Sequence, residues 1–301
     1  MTRKVLLVEP NYKNKYPPMG LMKLATYHRQ LGDDVVFYKG EFKEFVIREI
    51  YKELIKKLYN IDDNVEWFKY KDKIQRFIKR GFKEDLKFLT SLSESKFVPE
   101  NLMYYKDYYR KKNYLENPSW DRICISTLFT FHWKKTVETI NSFKELCKFK
   151  DQVHVGGVAA SVLPNELEKA TGIKPWSGLL NEPGILDDND IIIDNLPLDY
   201  SILEEIDYTY PENDGYYGYM TRGCINRCSF CLVPIIEPEY NGYIGMQGQI
   251  EYVRDKFGEK RNLLLLDNNV LASEKFDKLL MKSKHLDLIK KQNSLNLTSM
   301  K

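Results

Sequence analysis

Long apolar runs are missing from this chain of 301 residues. No stretch approaches the roughly 20 consecutive apolar residues that a membrane-spanning helix needs, and Met1-Thr2-Arg3-Lys4 runs into a short apolar strand, not a signal-peptide core. No membrane partner is expected, and the reading is cytoplasmic. An excess of one charge is missing as well. The 46 Lys and Arg nearly balance the 43 Asp and Glu, for a net charge of +3. That excess is too small to indicate a nucleic-acid partner, and the Lys and Glu runs read as solvated helix faces. Cysteine is sparse: there are five, an odd number and mostly clustered. This disfavours a secreted disulfide framework and favours metal ligation in a reducing compartment.

What is present is globular in composition, 43% hydrophobic and 30% charged, with a length that suggests two domains. Val5-Leu6-Leu7-Val8 is a continuous apolar run of the kind a doubly buried strand shows, and Glu9-Pro10-Asn11 stops it. Leu21, Leu24, Ala25, His28 and Leu31 then recur at helical spacing, Gly32 follows as a C-terminal cap, and Val35-Val36-Phe37-Tyr38 gives a second strand. Strand, helix and strand in this order predict a βαβ unit of a parallel sheet.

From about 40 to 118 the alternation stops. Ile47, Ile50, Tyr51, Leu54, Ile55 and Leu58 form one helical stripe, and a second helical reading covers roughly 65–92, so a helical insertion is expected. Its interleaved aromatic and basic residues, Trp67, Phe77, Arg80 and Tyr104 among them, suit either a strand-binding surface or core aromatics beside solvated lysines; spacing favours the second. Ile123-Cys124-Ile125-Ser126, a helix from about 133 to 147, and Val153-His154-Val155-Gly156-Gly157 resume the α/β pattern. Cys124 and Cys147 read as small buried residues. A short helix at 165–170, an extended piece at 176–180 and an extended linker at 191–200 follow. Beyond the cysteine cluster come a helix near 249–257, the strand Leu263-Leu264-Leu265-Leu266 stopped by Asp267-Asn268-Asn269, and a helix at about 273–284.

The cluster itself is Cys224-Ile225-Asn226-Arg227-Cys228-Ser229-Phe230-Cys231, led by Thr221-Arg222-Gly223 after an aromatic strand. Three thiolates from one short loop can hold three corners of a cubane iron–sulfur cluster and leave the fourth iron open. A structural zinc site would want a fourth ligand close by, and the nearest His, His285, lies far downstream.

This loop resembles the signature of the radical S-adenosylmethionine superfamily. The resemblance implies a [4Fe-4S] cluster on Cys224, Cys228 and Cys231, with S-adenosylmethionine chelating the fourth iron. Its reductive cleavage would release a 5′-deoxyadenosyl radical, fed by an electron donor such as flavodoxin or ferredoxin. The resemblance also implies that Phe230 lies beside the adenine and that Asp267 and Asn268, at the end of the second strand, face the methionine ammonium. Ser126-Thr127-Leu128 and Gly156-Gly157 are similar to elements of the cobalamin-binding-type domain that precedes many such barrels. They imply a flat-ligand site at Ser126, Gly156 and Gly157. The Asp-x-His-x-x-Gly element that supplies the cobalt ligand is absent, since no His lies between Glu9 and Gly20.

The expected architecture is α/β: an N-terminal open parallel-sheet Rossmann-like domain over 1–195 with a helical insertion, a linker at 196–214, and a partial radical S-adenosylmethionine barrel over 215–301. Only two of the barrel's βα units follow the linker, so a truncated member is expected. The resemblance implies methyl transfer, methylthiolation or rearrangement of a small-molecule or macromolecular substrate that the sequence leaves unidentified. Leu232-Val233-Pro234 is similar to the methylthiotransferase subgroup, whose additional N-terminal cysteines Cys124 and Cys147 do not supply. The alternative is a non-catalytic fragment that binds a cluster or serves as an interaction partner.

Overall fold

A computed structural model describes residues 2–277. Four apolar segments form a parallel sheet: β1 (Lys4–Glu9), β2 (Asp34–Lys39), β3 (Arg122–Thr127) and β4 (Val153–Gly157), in the order β2-β1-β3-β4. The order reverses between β1 and β3. In open α/β sheets such a switch point places ligands outside the strands' carboxyl ends.

Each face of the sheet has its own cover, which is why the strand cores read as uninterrupted apolar runs. On one face Val5, Leu7, Phe37 and Cys124 pack against α1 (Met19–Gln30). On the other, Leu6, Val8, Ile123, Ile125 and Val155 pack against Ile140 and Phe143 of α6 (Trp133–Phe143) and Leu167 of α8 (Pro164–Thr171). A single extra turn, α7 (Val158–Val162), connects β4 to α8. Cys124 and Cys147 are both buried, and burial pushes the Cys124 thiol up to about 12, so it stays a neutral core group.

The insertion between β2 and β3 is helical throughout: α2 (Phe42–Ile61), α3 (Lys71–Arg80), α4 (Lys83–Thr90) and α5 (Phe97–Arg110). The single helix expected over 65–92 is broken in two, because Gly81 adopts a left-handed conformation and caps α3. Trp67 and Phe77 are buried in a separate core with Leu54, Leu58 and Leu102, whereas Phe68, Phe82 and Tyr104 are exposed.

The linker at 191–200 is not wholly extended: it turns at Ile193–Asn195 and again at Tyr200–Glu205. It leads to β5 (Gly215–Gly218), α9 (Val233–Ile236), α10 (Gln247–Phe257) and β6 (Asn262–Leu265). β5 and β6 pair in parallel as a two-stranded sheet. The helix expected at 273–284 and the tail beyond it lie largely outside the described residues. Among the described residues, no helix is long and apolar enough to cross a membrane.

Candidate functional site

The cysteine loop leaves the carboxyl end of β5, and the end of β6 fixes where it starts. The carboxylate of Asp267 accepts hydrogen bonds from Met220 N at 2.9 Å, from Thr221 N, and from Thr221 Oγ1 at 2.6 Å. Hydrogen bonds to a charged acceptor are among the stronger ones, so Asp267 holds the two residues that lead into the loop. Arg222 continues the register by bonding Asn241 through both its N–H and its carbonyl.

Gly223 must then be glycine. Its φ of +68° is left-handed, and a Cβ there would stand 2.3 Å from the Glu239 carbonyl oxygen. Its N–H donates to Glu237 Oε2 at 2.7 Å. Asn268 Nδ2 donates to the same oxygen at 3.1 Å. Glu237 thus links the start of the cysteine loop to the end of β6.

Cys224 and Cys231 are half-buried and Cys228 is exposed, and all three are free thiols. Asn226 N lies 3.4 Å and Asn269 Nδ2 lies 3.7 Å from Cys224 Sγ, both as donors. N–H donors to sulfur are among the features that tune an iron–sulfur cluster. Among the described residues, no three His, Cys, Asp or Glu side chains are gathered at metal-holding distance. The donor set, three thiols from one loop, suits an iron–sulfur cluster in kind, and holding one would require the three thiols to come closer together than they stand here. Phe230, between the second and third cysteines, is 87% exposed.

Arg222 connects this loop to the four-stranded sheet. Its Nη2 lies 2.6 and 2.7 Å from the two Asp194 oxygens, and its Nη1 lies 2.7 Å from Glu237 Oε1. Lys23, on α1, meets Asp194 Oδ1 at 2.8 Å. Burial alone would raise the Asp194 carboxyl, but the two facing cations more than reverse this and hold it below the usual range. The Arg222 guanidinium also lies 3.9 Å from the centroid of the Tyr219 ring.

The network walls a cavity of about 480 Å³ on the α1 side of β3 and β4. Ser126, His154, Gly156 and Gly157 line it, together with Met19, Leu24, Trp176 and Leu180. Parallel pairing of Cys124 with His154 and of Ser126 with Gly156 puts these side-chain positions on one face. The two glycines differ in role. Gly157 has φ +105° and a Cβ there would meet the Thr127 carbonyl oxygen at 2.3 Å, so it serves close packing of β4 on β3; a Cβ on Gly156 would meet nothing within 4 Å. A second cavity, of about 400 Å³, shares Met19, Lys23, Asp194, Tyr219 and Arg222 with the first and reaches Gly248 and Gln249 on α10.

The structure therefore gathers the expected residues into two places, Cys224 to Cys231 with Asp267 and Asn268, and Ser126 with Gly156 and Gly157. Between them stands the Lys23–Asp194–Arg222 network, which sequence reading did not anticipate. Arg222 beside the cysteines was a visible cue, but nothing local marks Lys23 or Asp194 as its neighbours.

No protein-family model matches the chain, and no curated protein sequence matches it. Among solved structures, it is similar to a radical S-adenosylmethionine methyltransferase, TsrM from Kitasatospora setae, in a form with tryptophan substrate and the S-adenosylmethionine analogue aza-SAM bound. It is similar to the same protein with cobalamin and a [4Fe-4S] cluster bound. In both cases the identity is 15% and the TM-score 0.48, over 95% of this chain and 52% of the other. The chain thus spans about half the length of the structures it matches.

Proposed function

We propose that this chain is a radical S-adenosylmethionine-type protein whose cluster is held by Cys224, Cys228 and Cys231. The observation that carries the reading is the Cys-x-x-x-Cys-x-x-Cys loop itself, set at the carboxyl end of a parallel strand, where active sites of α/β barrels lie. When bound, a [4Fe-4S] cluster with S-adenosylmethionine on its open iron supplies one-electron chemistry that yields a 5′-deoxyadenosyl radical, and the protein supplies orientation.

The orienting work falls to named groups. Asp267 fixes Met220 and Thr221 and so sets where Cys224 begins. Glu237 holds Gly223 N and Asn268 together. Asn226 and Asn269 supply N–H donors to Cys224 Sγ. With Asp267 so engaged, an ammonium of S-adenosylmethionine meeting this carboxylate would share it with the backbone of 220–221. Phe230, exposed between the second and third cysteines, is the aromatic that would lie beside the adenine. The proposed outcome is methyl transfer, methylthiolation or rearrangement of a substrate, with an electron donor such as a flavodoxin or ferredoxin. The residues present do not supply cobalamin with a histidine from the 9–20 loop, and no step is assigned to that cofactor.

Anaerobic reconstitution with iron and sulfide, followed by reduction in the presence of S-adenosylmethionine, tests the reading. The expected result is a visible iron–sulfur chromophore and release of 5′-deoxyadenosine, with Cys228→Ala losing both while its far-ultraviolet circular dichroism is unchanged. A chromophore without cleavage of S-adenosylmethionine under strong reductant overturns the enzymatic reading. No chromophore at all overturns the ligand assignment.

A further inference from the structure

The net charge of +3 conceals a local asymmetry in the helical insertion. Residues 69–87, which run through α3 and α4, carry eight Lys and Arg against three Asp and Glu, and residues 106–112, at the end of α5, carry four against one. The rest of the chain holds 34 against 39. The fold brings the two basic segments together at the turn between α3 and α4. A Cβ on Gly81 would lie 3.4 Å from Lys106 Cδ and 3.8 Å from Arg110 Cζ, and Arg110 Nη2 donates to the Arg80 carbonyl at 3.5 Å. Lys73, Arg76 and Arg80 recur at spacings of three and four and so share one face of α3, about 10 Å long. Arg76 Nε donates to the buried Asp85 carboxylate at 2.7 Å, yet half of the Arg76 side chain is open to solvent. The ion pairs of this region engage Lys69, Arg76, Lys79 and Lys106. Among the described residues, they leave Lys73, Arg80, Lys83, Lys87 and Arg110 without a carboxylate.

The aromatic residues interleaved with these cations divide into two sets. Trp67 and Phe77 are buried in the core of the insertion, whereas Phe82 and Phe88 are 41% and 36% exposed. Each exposed ring sits beside the cations: the Arg80 and Arg76 guanidiniums lie 5.8 and 5.9 Å from the Phe82 centroid, and Lys73 Nζ lies 4.8 Å from that of Phe88. We propose that this face binds a single-stranded nucleic acid, with Lys73, Arg76, Arg80 and Arg110 on its phosphates and Phe82 and Phe88 against unpaired bases. Cations that track a backbone beside open rings that stack bases are the combination by which single strands are held without sequence preference. A duplex would meet the cations but hide the faces of its bases, leaving both rings unused. A basic helix that lies on an anionic membrane keeps its apolar and charged faces apart, whereas here both rings have a cation within 6 Å. No residue of the cysteine loop takes part, so this proposal and the cluster reading stand or fall separately.

The test titrates a fluorescent oligodeoxythymidylate of about 12 nucleotides with the full chain and reads anisotropy, which is expected to saturate. Between about 50 and about 200 mM salt the affinity should drop roughly fiftyfold, as four phosphate contacts contributing about 0.7 each to the logarithmic slope require. Arg80→Glu with Arg110→Glu should weaken binding at least tenfold and flatten the salt dependence. Phe82→Ala with Phe88→Ala should weaken it at least about fivefold and leave the salt dependence as in the parent. Lys150→Glu with Lys169→Glu, outside the insertion, is the control and should bind as the parent does. All six positions are exposed, and circular dichroism checks that each variant keeps the fold. If the alanine pair does not, Phe82→Leu with Phe88→Leu, which keeps apolar bulk and removes the rings, takes its place. Absence of saturable binding overturns the proposal, as does unchanged affinity in either test pair or an equal loss in the control. A duplex of the same length that binds as tightly as the single strand overturns it too. Binding to vesicles of equal parts phosphatidylcholine and phosphatidylserine, with none to the oligonucleotide, would overturn it in favour of an anionic membrane.

Discussion

Gly223 carries the sharpest constraint in the cysteine loop. Left-handed backbone costs a residue with a Cβ about 1–2 kcal/mol, and here the added carbon would also press on the Glu239 carbonyl oxygen. Gly223→Ala is expected to lose at least that much stability in urea unfolding and to displace Cys224. Full parental stability in the variant would contradict the geometry. A pH dependence belongs to this scale too. His28 and His154 are both lowered to about 4, chiefly by burial; Asp33 pulls His28 the other way, and Arg122 adds to the drop at each. Unfolded, each would titrate near 6.5. The unfolded chain therefore binds more protons between these values, and stability is full above about pH 6.5 and declines as pH falls toward about 4. The slope should approach about 1.4 kcal/mol per pH unit for each histidine, and urea midpoints measured at pH 7, 6, 5 and 4.5 check it. The cysteines were legible as a set because clustering is itself a signal. The role of Asp267 was not, since an acidic residue after a strand reads as turn chemistry and its partners Met220 and Thr221 lie 46 to 47 positions away.

Among the elements, the strands were the easiest to read. β1, β2 and β3 are buried on both faces, so their cores show as unbroken apolar runs, and the register follows once they pair. α7 was missed because a five-residue helix is too short to show a period. The break at Gly81 was missed for a different reason: the apolar stripe carries on through the left-handed turn from Phe77 and Ile78 of α3 to Leu89 of α4. The helical insertion has a core of its own, centred on Trp67, which is fully buried and donates its indole N–H to the Asp62 carbonyl at 2.8 Å. Trp67→Ala should cost about 3–5 kcal/mol. Because this core is separate from the two that cover the four-stranded sheet, hydrogen exchange is expected to rise across α2 to α5 before it rises in β1 and β3. Uniform loss of protection would show instead that the insertion and the sheet unfold as one.

For the whole molecule, the question is how the two sheets are joined. One apolar cluster runs from Val5, Leu7 and Ala25 to Tyr216, Tyr217 and Ile250, and Tyr200 bridges it by stacking on Tyr217 and donating to the Gly215 carbonyl at 2.8 Å. The ionic counterpart is Asp194, set between Lys23 of α1 and Arg222 of the cysteine loop. Removing one member of a buried ion pair typically costs about 3–5 kcal/mol because the remaining charge is left without a partner. Asp194→Ala, which leaves Lys23 without its carboxylate while Arg222 keeps Glu237, should fall in that range by urea unfolding, and a cost below about 1 kcal/mol would show that the pair contributes no more than an exposed one. Neither join could be read from the sequence, because each depends on residues brought together by the fold.

The clamp from Asp267 onto the start of the cysteine loop has a consequence in time. During synthesis the thiols leave the ribosome well before β6, so for an interval the loop exists without the carboxylate that sets its first residues. Metal captured in that interval would meet an unset loop. On the cluster-binding function proposed above, loading should therefore wait on the docking of β6, and reconstitution of folded protein should give more uniform cluster spectra than adding iron and sulfide during refolding.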